Sequence, residues 1–179
     1  QSTFGMDRLP PSDCSLNNTT IRPDYDPTTT SPLYRIPVVF HVLRSSAGAG
    51  EVSDARIQSQ IDVLNEDFRA LAGSLGEDGN DARVEFFLAT EDPNGSPTTG
   101  ITRHDNTTWY NDGGTYYNSL NWDANRYLNL YTNQASGALG YVRGFPAQGG
   151  FVGSSTDHVV LLWSAVGRGV AHGVADFLA

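Results

Sequence analysis

The chain has 179 residues, of which 39% are hydrophobic and 17% charged, and its formal net charge is −9. This length predicts one domain that buries about two-thirds of its unfolded surface, and the composition excludes a wholly disordered protein. A nucleic-acid partner is excluded because phosphate binding favours clustered basic residues, whereas the 11 basic residues here are scattered arginines. No apolar run has the length of a membrane span.

The start of the sequence predicts an extracellular protein, because the chain begins at Gln1 without a signal peptide, as a mature secreted product does. Cys14 is the single cysteine, which excludes an internal disulfide. In a secreted chain such a thiol pairs with another molecule, has a reactive role or stays unpaired in a flexible arm. Sequons of the form Asn-x-Thr begin at Asn17, Asn18 and Asn106, either as glycosylation sites or as chance matches in polar loops.

Residues 1–33 differ from the rest, since they are rich in Pro, Thr, Ser and Asp and show no helical or strand period. We expect an extended arm or propeptide-like segment here, able to lie along a partner as an added strand. Residues 34–179 form the predicted domain.

The first regular elements of this domain are a strand and a helix. The β-branched and aromatic run at 34–43 predicts a buried strand, with Pro37 near its start or on a free edge. Ser53 is a candidate N-cap for an amphipathic helix that Gly73 would end. The apolar residues at helical spacing are Ile57, Ile61, Leu64, Phe68 and Leu71.

Four further strands are predicted, separated by polar and glycine-rich loops, including a loop-rich stretch through Thr115 and a long loop at 143–155. The predicted strands span residues 84–90, 127–132, 139–142 and 158–163. The alternation of strands and helices predicts an α/β fold with a twisted, mostly parallel sheet.

The histidines outside the C-terminal segment show no metal-ligand spacing. His41 lies mid-strand and is predicted to be hydrogen-bonded in the core, His104 lies in a loop and His158 at a strand start. Asp123 and Asn129 are predicted to cap turns. The aromatic loop residues are either a binding surface or the packed underside of loops, and packing is the preferred interpretation; they are Trp109, Tyr110, Tyr116, Tyr117 and Trp122.

Several segments together resemble the pappalysin family of metzincin zinc peptidases by their order and spacing. These segments lie at residues 34–42, 60–68, 87–93, 100–103, 122–130 and 139–141. The resemblance implies the upper subdomain of a metzincin: an α/β unit with a twisted, five-stranded mixed sheet, two main helices and the active-site helix at its end.

The C-terminal segment gives the strongest resemblance, because residues 167–179 align with the family's zinc-binding motif without a gap. His172 falls on the first zinc ligand, Gly173 on the catalytic glutamate and Asp176 on the second ligand. Ala179 falls on the glycine that turns the chain toward the third ligand, which the sequence does not contain.

These substitutions alter the chemistry that the motif supplies. A hydrolytic zinc ion needs about three protein ligands and a carboxylate that accepts a proton from the metal-bound water. His172 and Asp176 lie four residues apart on one face of a helix and offer half a site, while Gly173 has no side chain. The two residues either form a surface pair or bind metal weakly, and no cofactor is expected unless a partner completes a zinc site.

Two main functions follow from the sequence. The first is a catalytically inactive domain that works by binding or self-assembly, with a free sheet edge that pairs with another protein or with the 1–33 arm of another copy. The second is a zinc metalloendopeptidase whose site is completed by missing residues or by a partner chain. A ligand- or glycan-binding module built on the aromatic loops is a third interpretation.

Overall fold

The computed structural model describes residues 27–144 and 149–168. The sequence-based expectations that fall outside these ranges concern residues 1–26, Cys14, Asn17, Asn18, His172, Gly173 and Asp176. The described part contains six strands and three α-helices. They are β1 (Tyr34–Arg44), α1 (Asp54–Phe68), β2 (Val84–Leu88), β3 (Ile101–Asp105), α2 (Thr107–Tyr110), α3 (Tyr116–Leu120), β4 (Leu128–Asn133), β5 (Gly140–Val142) and β6 (Val159–Leu162).

The strands form one mixed sheet in the order β2-β1-β4-β6-β5, with β3 also paired to β1. All pairs are parallel except β5 with β6, which is antiparallel. The predicted α/β class and the mostly parallel sheet are therefore confirmed. All five predicted strands are present in the described residues, and their ends differ from the predicted ends by one or two residues.

The sixth strand is the main difference from the expected five. β3 lies in the stretch that was predicted to be loop through Thr115, and its placement puts His104 in a strand rather than in a loop. The first half of β1 pairs with β2, and the second half pairs with β3 on the same edge. Gly100 makes the junction possible, because its φ is +71° and an added Cβ would lie 2.7 Å from the backbone nitrogen of Ala89.

Helix α1 is the one long helix of the described ranges. Ser53 caps it as predicted, with its side chain accepting a hydrogen bond from the backbone N–H of Arg56. The predicted end was too late: the helix stops at Phe68, Ala70 has a φ of +47°, and Leu71 is exposed. None of the described helices has the length and apolarity needed to cross a membrane.

The sheet has two different faces. The helix face packs against α1 and is apolar, with buried side chains from Val38, Phe40, Val42, Leu130 and Leu161. The loop face is covered by the segments that carry α2 and α3, and it mixes polar with apolar groups. The buried residues of the loop face are Val39, His41, Leu43, Asn129, Tyr131, Asn133, His158 and Val160.

Candidate functional site

The segment after β6 is fastened to helix α1 by side-chain hydrogen bonds. The guanidinium of Arg56 donates to the carbonyl oxygens of Val166 at 2.7 Å and Ser164 at 3.2 Å. The buried amide of Gln60 accepts from the backbone N–H of Gly167 at 2.9 Å. The chain that leads into the predicted zinc motif is thus fixed on the helix face of the sheet.

Gly167 allows this close approach between the segment and the helix. Its φ is +81°, and an added Cβ would lie 2.6 Å from the carbonyl oxygen of Arg56 and 2.7 Å from Oγ of Ser59. A side chain at this position would therefore collide with backbone as well as adopt a strained conformation. Beyond it, Arg168 pairs with Glu66 of α1.

The predicted metal ligands His172 and Asp176, with Gly173 between them, lie outside the described residues. Within residues 27–144 and 149–168, no group of three His, Cys, Asp or Glu side chains is arranged to hold a metal ion. In the sequence, His172 and Asp176 offer one imidazole and one carboxylate, and a hydrolytic zinc ion takes about three protein ligands. An inactive domain and a zinc site completed by further residues or a partner chain therefore both stay predictions.

The second feature of the site is the edge strand β5, which pairs with β6 and with no other strand of the described ranges. The backbone N–H of Leu162 donates to the carbonyl of Leu139 at 2.9 Å. Because bonding alternates along an antiparallel pair, the N–H and C=O groups of Gly140 and Val142 point away from β6. Among the described residues these groups have no backbone hydrogen-bond partner, so they can pair with an extended polypeptide.

The carboxylate of Asp112 holds this edge strand in place. The hydroxyl of Tyr141, in β5, donates to both carboxylate oxygens at 2.8 and 2.9 Å. Tyr116 and Asn133 donate to the same group at 2.9 Å, and Ser136 donates at 2.5 Å. β5 is therefore positioned by a half-buried carboxylate as well as by its pairing with β6.

The electrostatics of this contact keep Asp112 ionised. Burial acts to raise the pKa of its carboxyl, but the hydrogen bonds from Ser136, Asn133 and the two tyrosines outweigh burial and lower it. Burial, together with Tyr116 and Asp112, raises the pKa of Tyr141. Sequence patterns do not identify Asp112 as a site residue. Its local signal is the turn sequence Asn111-Asp112-Gly113-Gly114, which predicts a turn but no distant partner.

A chain of hydrogen bonds crosses the loop face through His41. Its Nε2–H donates to Oδ1 of Asn129 at 3.1 Å, and its Nδ1 accepts from the hydroxyl of Thr102 at 2.8 Å. Thr102 in turn accepts from Nε2 of His104 at 2.9 Å. Burial lowers the pKa of His41 to about 3, so the ring is neutral at physiological pH. The predicted hydrogen-bonded core role of His41 is confirmed.

The other residues of the loop face also have structural roles. Asp123 accepts from the backbone N–H of Asn125, and Asn129 bonds both the N–H and the C=O of Trp122, so both cap turns as predicted. Tyr116 is fully buried, in agreement with the packing interpretation of the aromatic loops. His158 lies immediately before β6, where burial lowers its pKa to about 4.

Solved structures with a similar fold were found, whereas no family model and no curated protein matches the chain. Mirolysin in complex with compound 9 is 34% identical with a TM-score of 0.66, covering 78% of this chain and 56% of that one. Mature mirolysin of Tannerella forsythia in complex with a cleaved peptide is 35% identical with a TM-score of 0.60 and the same coverage. A promirolysin mutant from that organism is 34% identical with a TM-score of 0.61, covering 78% and 49%.

The chain spans about half the length of these structures. Mirolysin is a metzincin-clan metallopeptidase, and the sheet described above matches its upper subdomain. The described residues therefore have the mixed α/β fold of a metzincin-like upper subdomain.

Proposed function

We propose that this protein binds extended polypeptides along the edge strand β5 and does not hydrolyse them. The observation that carries the proposal is the free edge of β5, where the N–H and C=O groups of Gly140 and Val142 point away from the sheet. Leu139 and Val142 also expose apolar side chains beside this edge, which suits a partner strand with apolar residues.

We infer the loss of catalysis from the substitutions in the zinc-binding motif. Gly173 has no carboxylate to accept a proton from a metal-bound water, and Asp176 is a weaker zinc ligand than a histidine. We infer a domain of pappalysin-like descent with a degenerate zinc motif, acting outside the cell. Its partner is another protein or a second copy, whose residues 1–33 would supply the added strand.

Fluorescence anisotropy of labelled unfolded casein tests peptide binding. Val142→Pro removes an outward-pointing backbone N–H and should weaken binding by at least about tenfold. Val142→Thr keeps that N–H and should bind as the parent protein does. Equal affinity of the proline variant and the parent would contradict binding along β5.

Light scattering coupled to size-exclusion chromatography tests self-assembly of the full chain. If a second copy is the partner, the protein should form oligomers at high concentration, and Val142→Pro should shift them toward monomer. A protein that stays monomeric throughout would leave binding of other polypeptides as the function to be tested by anisotropy.

A zinc metalloendopeptidase completed by further residues or a partner chain is the second candidate. It is favoured by the 34% identity to mirolysin over 78% of the chain. Elemental analysis for zinc and cleavage of casein with and without a chelator separate the candidates. One zinc ion per chain, with chelator-sensitive cleavage, would establish the peptidase and overturn the inactive domain.

A further inference from the structure

Edge strand β5 has two chemically different sides. The side chain of Tyr141 lies on the loop face, where its hydroxyl donates to Asp112 at 2.8 Å. Val142 is 43% exposed and pairs in register with Val159, which packs against the core of the helix face. Because side chains alternate along a strand, a polypeptide added to β5 would place every second side chain beside Tyr141 and the others on the apolar side, beside Val142.

Arg143 supplies the charge on the polar side of this edge. It directly follows β5 and is exposed, and its guanidinium carbon lies 4.4 Å from the ring centroid of Tyr117 and 5.7 Å from that of Tyr141. The guanidinium also donates to the Tyr141 hydroxyl at 3.4 Å. Contacts with two aromatic rings hold the guanidinium on the loop face, while its exposure leaves it open to a partner.

The charge of Arg143 is not neutralised by an acidic neighbour. Most described arginines pair with Asp or Glu, as Arg44 and Arg103 do, whereas Arg143 forms no ion pair within the described residues. The surrounding sequence is otherwise uncharged, since Arg143 is the single charged side chain of residues 127–156 in a chain of net charge −9. An arginine fork of this kind suits the planar carboxylate of an Asp or Glu side chain.

A strand added to β5 would bring its side chains within reach of this guanidinium. Neighbouring strands lie about 4.8 Å apart, and side chains directly opposite each other have Cβ atoms about 5 Å apart. We propose that β5 selects extended polypeptides in which acidic and apolar residues alternate, with a carboxylate on Arg143 and apolar side chains beside Val142. The inference rests on the proposed binding along β5 and adds the chemical class of the bound segment.

Fluorescence anisotropy with the full chain and three labelled peptides tests this selectivity. Each peptide alternates threonine with valine, and its central threonine is replaced by glutamate, glutamine or lysine. The parent protein should bind the glutamate peptide roughly three- to fivefold tighter than the glutamine peptide, as expected for one exposed ion pair, and should bind the lysine peptide most weakly. High salt should reduce these differences, because it screens exposed charges.

Variants of two arginines assign the preference to its residue. Arg143→Gln removes the charge and should bind the glutamate peptide no tighter than the glutamine peptide. Arg143→Glu should reverse the order and favour the lysine peptide. Arg126→Gln is the matched control, because its guanidinium also lies over a tyrosine ring, 5.4 Å from the centroid of Tyr127, but near Pro37 and Phe87 rather than β5. This variant should keep the preference of the parent.

The possible results separate the selectivity from strand addition itself. If the parent binds the three peptides equally, or if Arg143→Gln still prefers glutamate, the acidic selectivity is overturned while binding along β5 stands. Val142→Pro should weaken the binding of all three peptides, because it removes an outward-pointing backbone N–H. If the parent binds none of the peptides, both the selectivity and the proposed function are overturned.

Discussion

The two faces of the sheet are held together by different physical means. The helix face is an apolar contact between β1, β4, β6 and α1, with Phe40, Ile57 and Leu130 fully buried. The loop face has few regular elements over it, and buried polar groups such as Asn129 and Asn133 bind the backbone of the covering loops. Apolar burial holds a helix without directional contacts, whereas a loop needs its own backbone groups satisfied.

The largest expected effect on stability comes from disrupting the apolar packing of the helix face. Phe40→Ala removes a fully buried ring and should lower the free energy of unfolding by about 3–5 kcal/mol, measured by urea denaturation. Phe40→Leu keeps most of the volume and should cost less than about 1.5 kcal/mol. A loss below about 1 kcal/mol for the alanine variant would contradict the importance assigned to this face.

A smaller and more local effect is expected on the loop face. Asn129→Ala leaves His41 Nε2 and both backbone groups of Trp122 without their partner, which should cost about 1–3 kcal/mol. Hydrogen exchange should rise around residues 121–127 more than in α1. The surface variant Gln58→Ala should stay within about 0.5 kcal/mol of the parent. Uniform exchange changes across the protein would show that Asn129 does not act locally.

The pH dependence of stability further distinguishes the loop face from the helix face, because the buried histidines lie on the loop face. Burial lowers the pKa of His41 to about 3 and that of His158 to about 4, so below about pH 6.5 the unfolded chain binds more protons than the folded protein. Stability is therefore fully present above that pH and falls as the pH decreases toward the folded pKa values. Between about pH 5.5 and pH 4, His41 alone should contribute about 1.4 kcal/mol per pH unit, and about half of that near pH 6.5, where the unfolded ring is half protonated.

Urea denaturation at pH 7, 6 and 5 measures this slope in the parent and in His41→Gln. The variant lacks a titrating ring, so its stability should depend less on pH. If the free energy of unfolding falls equally with pH in the parent and in His41→Gln, then His41 does not cause the pH dependence.

The apolar part of the fold is the part that local sequence patterns predict well. β1 is a continuous β-branched and aromatic run, and α1 has a helical apolar period with a capping serine, so both patterns reflect burial against a neighbour. The end of α1 was missed because Leu71 continues the apolar period, although the residue before it, Ala70, has left the helical conformation.

The loop face could not be predicted in the same way. β3 has one apolar residue, Ile101, and becomes a strand because the second half of β1 offers it a free edge. The partners of Asp112 lie between 4 and 29 residues further along the chain, so no local pattern joins them. Contacts made by single polar side chains over such distances depend on the tertiary structure.

The position of β1 in the sheet has a consequence for folding during synthesis. β1 is made first among the described strands, yet its partners β2, β3 and β4 all follow it in the chain, the last of them beginning at Leu128. Because all three pairings are parallel and nonlocal, the chain must close long loops before β1 gains a neighbouring strand. The longest of the described strands therefore emerges from the ribosome long before its sheet partners, and in that interval its apolar residues are exposed to aggregation or to a chaperone.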